Sequence, residues 1–159
     1  MSERQADRPR VASARPEMTA ALMARTGLDE DLLEALVHRF YAKVRADELI
    51  GPVFAARIGD WGPHLERMTA FWSSVALMTG RYHGSPVVAH ASLPATWAHF
   101  ERWLALFRET AGEVCPPEGA AYLVERAENI ARSLHMAVED AAPRAAPSLS
   151  RPAVGGPRS

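Results

Sequence analysis

Four side chains bring chemistry into segments that are otherwise apolar. His90 lies in the stretch Arg81-Tyr82-His83-Gly84-Ser85-Pro86-Val87-Val88-Ala89-His90-Ala91-Ser92-Leu93-Pro94. Gly84 and Pro86 break the helical pattern before it, and Pro94 opens the next one. Between those breaks there is room for one short apolar helix carrying a single imidazole among Val87, Val88 and Leu93. A neutral imidazole in such surroundings either bonds a backbone carbonyl, as an ordinary core histidine does, or ligates a metal. Tyr41, His64 and Trp103 each fall on the apolar face of a different helical segment, so each carries a hydrogen-bond donor inward. A buried donor left without a partner costs ~1–3 kcal/mol, and three converging donors therefore require an acceptor in the interior. One such acceptor is a diatomic molecule with partial negative charge, on an iron that a histidine holds from the opposite wall.

The elements that must position these groups all have the helical period, and no segment alternates over a strand's length. Met18 to Arg25 reads as a short helix ended by Gly27. Asp29 caps a strong helix to about Ala46, with Leu33, Leu36, Val37, Phe40, Tyr41 and Val44 on its apolar face. Residues 47–59 contain Gly51-Pro52 and Phe54 and form a corner with a turn or two of helix. Asp60 caps the next helix, to about Thr79, with Pro63 in its first turn and His64, Met68, Phe71, Trp72 and Val75 on one face. From Pro94 to about Ala111 the inward face is Trp97, Phe100, Trp103, Leu104 and Phe107. Pro116 and Pro117 start a last helix to about Asp140, with Leu123, Ala127, Ile130, Leu134 and Val138 inward. The expectation is an all-α domain over residues 17–140. Residues 1–16 and the Pro/Ala-rich residues 141–159 have no apolar face and are expected to be disordered tails.

Large rings distinguish this pattern from a plain helical bundle, whose seam is filled by Leu, Ile, Val and Ala. Phe, Trp, Met and His on the middle helices either pack on one another as core or line a slot for a flat aromatic guest.

Composition limits the alternatives. At 159 residues with a net charge of −1, the chain is one domain with no bulk field for a polyanion. Its 18 basic residues are nearly all arginine, Lys43 being the single lysine, and they are scattered, so no nucleic-acid footprint is expected. One cysteine, Cys115, excludes an intrachain disulfide and a thiolate metal cluster, and it has no neighbour that would activate it. No window of 18 apolar residues and no secretory leader is present, which makes the cytoplasm the expected location and a membrane an unexpected partner. Glu-x-x-His pairs for a di-iron carboxylate site, a Gly-x-Ser-x-Gly elbow and a phosphate loop are all missing.

Five pieces in order carry a resemblance. They are Phe40-Tyr41-x-x-Val44-Arg45-x-Asp47, Gly51-Pro52-Val53-Phe54, and His64-Leu65-x-x-Met68-x-x-Phe71-Trp72. Arg81-Tyr82-x-Gly84-x-Pro86 leading to His90-x-x-Leu93 follows, and then Phe100-x-x-Trp103-Leu104-x-Leu106-Phe107-x-x-Thr110. From Asp29 to Val138 the chain resembles the truncated haemoglobins, specifically the third group, since it has only isolated glycines where the first two groups carry pairs. The resemblance implies a two-over-two helical sandwich enclosing haem b, with His90 as the proximal iron ligand. It implies Tyr41, His64 and Trp103 as distal polar residues, with His64 either bonding the ligand or gating the pocket. Phe54 would pack on the haem at the corner, and Leu65, Met68, Trp72, Leu93, Trp97, Phe100 and Trp103 would complete the slot. Arg81, Tyr82 and His83, just before the proximal stretch, are placed to meet the haem propionates or to stand in solvent. His38, His99 and His135 read as ordinary helix-face histidines.

The function so implied is binding of oxygen, nitric oxide or another diatomic ligand, with slow oxygen release. Oxidation of nitric oxide and peroxidase-like turnover are chemically open, and either needs electrons from a separate reductase. The competing reading is a non-haem helical interaction or regulatory module, with the inward rings packed on each other.

Overall fold

A computed structural model describes residues 13–84 and 95–155, with side chains described as far as residue 141. His90 and Leu93, and the short helix expected around them, lie outside the described residues. Among the described residues six helices follow one another: α1 Pro16–Thr26, α2 Glu30–Ala46, α3 Gly51–Arg57, α4 Trp61–Leu77, α5 Trp97–Val114 and α6 Pro117–Gly155. No strand occurs among the described residues, and none of their helices is long and apolar enough to cross a membrane.

The helix starts follow from capping chemistry. Asp29 accepts from the Leu32 N–H at 2.8 Å and opens α2. Asp60 accepts from Gly62 N–H at 3.3 Å and opens α4. α5 begins at Trp97, three residues after the proline expected to open it, because Thr96 takes the cap and its N–H donates to His99 Nδ1 at 3.0 Å. Gly27 ends α1 in the left-handed region at φ +75°, as a C-terminal cap should. Gly119 is small for a different reason: a Cβ there would lie 2.8 Å from both the Thr26 carbonyl oxygen and Leu28, so α6 can start tight against the α1–α2 link.

α2 buries Leu33, Leu36, Val37, Phe40, Tyr41 and Val44, the face that its spacing predicts. It packs on α4 and crosses α5, while α5 pairs with α6, which makes two helices over two. The corner is tied down by Asp47, whose carboxylate accepts from Leu49 and Ile50 N–H at 3.0 Å each and pairs with Arg102 of α5 at 2.6 Å. Partial burial pushes that carboxyl's pKa up, but the Ile50 N–H, Arg102 and the Leu49 N–H outweigh it and hold the group below the ordinary carboxylate range. The packed face of α6 ends at Val138, near the expected end, although the helix continues through Ala-rich sequence to Gly155.

The rings divide between core and wall. Phe40 and Phe107 are fully buried and meet edge to face at 5.4 Å. Phe107 also stacks on Trp72 at 4.9 Å and on Trp103 at 5.7 Å, so a three-ring stack runs from α4 to α5 and fixes the indole of Trp103.

Candidate functional site

Inside the sandwich α2, α3, α4, α5 and α6 enclose a cavity of about 220 Å³. Tyr41, His64 and Trp103 line it together, each from a different helix. Tyr41 is 5% exposed and meets His64 edge-on at 5.1 Å. Burial holds its phenol pKa far above the ordinary range, so the hydroxyl stays protonated and available as a donor. Trp103 is held by the stack on Phe107 and by the edge of Phe40 at 5.6 Å.

Of the other residues expected at the slot, Phe54, Met68, Trp72, Tyr82 and Phe100 line the cavity. Phe54 reaches Tyr41 edge-on at 5.8 Å from α3. Tyr82 is positioned by its N–H, which donates to Ser74 Oγ at 2.8 Å, and by its ring, edge-on to Phe71 at 5.2 Å. Leu65 is half-buried and packs against the core beside the cavity instead of lining it. Trp97 is 36% exposed at the start of α5, stacked on Phe100 at 6.3 Å and 5.0 Å from His135. It therefore backs a lining residue from outside.

Arg81 is occupied elsewhere. Its guanidinium donates to Glu30 Oε1 at 2.6 Å, while Ser73 Oγ donates to Glu30 Oε2 at 2.8 Å and contacts Thr79 at 2.5 Å. The carboxylate at the start of α2 thus anchors the chain leaving α4, and Arg81 with it.

Other residues complete the lining. Arg67 and His99 bring polar groups to the wall, and Ile50, Val53, Phe71, Ala95, Ile130, Ala131 and Leu134 bring apolar ones. Phe71, Ile130 and Leu134 were on the expected inward faces. Arg67 stands one turn after His64, and that spacing alone could have flagged it. His99 reads as a surface histidine until its Nδ1 is seen accepting the Thr96 N–H, which leaves the proton of the neutral ring on Nε2. Burial pushes the Cys115 thiol up to about 11, in keeping with an inert side chain. Among the described residues no three His, Cys, Asp or Glu side chains gather as metal ligands.

Comparison with known proteins decides the family. The chain is 34% identical over 109 residues to the group 3 truncated haemoglobin ctb of Campylobacter jejuni, a match covering 65% of this chain and 86% of that one. The chain belongs to the truncated haemoglobins. The crystal structure of the group III truncated haemoglobin from Campylobacter jejuni superposes with a TM-score of 0.66 at 32% identity, covering 70% of this chain and 91% of that chain. No protein-family model matches.

The cavity of this truncated haemoglobin has the chemistry a haem requires. Phe54, Phe71, Trp72 and Phe100 give the wall aromatic surface suited to a flat apolar body, and Met68, Ile130 and Leu134 add aliphatic surface. Tyr41, His64 and Trp103 supply donors, and the cation of Arg67 with the hydroxyl of Tyr82 suits an anionic edge.

Proposed function

We propose that this truncated haemoglobin encloses haem b, with His90 as the residue that would hold its iron, and binds small diatomic molecules, oxygen foremost, releasing them slowly. One observation carries the reading: three hydrogen-bond donors from three helices converge on a single cavity whose remaining wall is largely apolar. When bound, haem supplies the metal that takes the diatomic ligand and exchanges electrons. The chain's own residues do the rest. Phe54, Met68, Trp72 and Phe100 would exclude water and hold the macrocycle, with Leu93 completing the slot and Trp97 backing Phe100.

Tyr41 would donate an O–H hydrogen bond to a polarised ligand, and Trp103 an indole N–H hydrogen bond from a ring held by Phe107 and Phe40. His64 adds a donor or controls entry. Arg67 and Tyr82 hold the propionates, while Arg81 keeps to Glu30 and acts through the loop. Oxidation of nitric oxide or peroxidase-like turnover would use Tyr41 and His64 to move protons, with electrons arriving from a separate reductase in the cytoplasm.

The assignment of His90 is tested by replacing it with Ala and reading the absorption spectrum of the reconstituted protein. Loss of the native ferrous spectrum, restored by added imidazole, is the expected result. A spectrum and haem affinity equal to the native protein's would refute it.

A further inference from the structure

We propose that Trp61 and Arg45 form an outer clamp that sets the direction in which Tyr41 and His64 present their donors, and so sets how tightly the cavity holds a small polar ligand. The proposal rests on the reading of that cavity as a haem site. Two helices interleave their side chains here. α2 offers Tyr41 and, one turn on, Arg45; α4 offers Trp61 and, one turn on, His64. The Trp61 ring lies 5.8 Å from that of Tyr41 and 5.5 Å from that of His64, and those two rings are 5.1 Å apart. The three rings therefore close a triangle, in which turning any one of them pushes against the other two. Over the outer face of Trp61 stands the Arg45 guanidinium, 4.6 Å from the ring centroid. The backbone of Trp61 is held as well, since it is the first residue of a helix capped by Asp60.

Trp61 is not among the residues lining the cavity, so it has no route to a ligand except through Tyr41 and His64. It is a positioning residue. Arg45 is exposed, so removing its charge opens no hole in the core. That separates its effect on Trp61 from any effect on packing.

The test uses the intact chain with haem, reduced and bound to carbon monoxide, whose C–O stretching band reports the field of nearby donors. Arg45→Met keeps the aliphatic stem and removes the cation; it is expected to broaden or split that band and to speed ligand dissociation about two- to fivefold. Trp61→Leu is expected to give the same spectral change with a larger acceleration, about tenfold. Arg45→Lys retains a cation and Trp61→Phe a ring, and both are expected to stay within about twofold of the native rate. Unchanged band and rate in Arg45→Met and Trp61→Leu, with normal haem uptake, would overturn the clamp and leave the haem reading standing. If Trp61→Leu does not fold, Arg45→Met decides alone. A native chain that takes up no haem would overturn both.

Discussion

Tyr41→Phe removes one oxygen from the cavity and almost nothing else. The ring contacts of Tyr41 to Phe40 at 4.9 Å, Phe54 at 5.8 Å and His64 at 5.1 Å are made by carbon atoms that phenylalanine keeps. The change should therefore leave the melting temperature within a few degrees of native. What it takes away is a donor to a ligand carrying partial negative charge, and such bonds contribute about 1.5–3 kcal/mol. At about 1.4 kcal/mol per decade, oxygen dissociation should accelerate about ten- to hundredfold, toward the lower end where Trp103 and His64 share the load. Because burial keeps the phenol protonated, the native rate should show no break near pH 10, where an exposed tyrosine ionises. Stopped-flow displacement of oxygen by carbon monoxide measures both effects. A Tyr41→Phe rate within about twofold of native would refute the role given to the hydroxyl. A native rate that rises through pH 10 would refute the account of its environment.

Other expectations concern the scaffold. Glu30→Gln weakens the anchor of both Ser73 and Arg81 and should cost about 1–2 kcal/mol, seen as a fall of a few degrees in thermal melting. Equal stability would mean that the loop leaving α4 is held some other way. Gly119→Ala puts a Cβ 2.8 Å from the Thr26 carbonyl oxygen and should destabilise by about 1–3 kcal/mol in denaturant melts, whereas Gly112→Ala, where a Cβ meets nothing within 4 Å, should not. The folded-state pKa of Asp47 is depressed, so its contribution is complete above the unfolded value of about 3.9 and fades as pH falls through and below it. The melting difference between native and Asp47→Asn should accordingly be largest near neutrality and shrink at pH 3.

The parts of the fold that were legible are those decided within a turn or two of chain. Asp29 and Asp60 announce their helices because a short carboxylate next to an apolar period has a local job, and Gly27 ends α1 for an equally local reason. The face of α2 was readable residue by residue, since burial there follows the helical period. Boundaries drifted where two local signals compete: Pro94 marks a break, but Thr96 with His99 makes the cap. The pairing of Arg81 with Glu30 was not legible because the two stand 51 residues apart and no spacing rule links them. Trp97 shares a period with Phe100, yet at the first position of α5 it is 36% exposed and backs Phe100 from outside the cavity. The contact between Trp61 and Arg45 was not legible because it exists only once α2 and α4 are packed. The three donors were readable because a polar atom on an apolar face is an anomaly in the sequence itself.

Titration of the purified chain with haemin tests the central claim most directly. Equimolar uptake is expected, with an intense band at the violet edge of the visible spectrum that shifts on reduction and again with carbon monoxide. A chain that stays colourless, or that returns the spectrum of free haemin after equimolar addition, would contradict it.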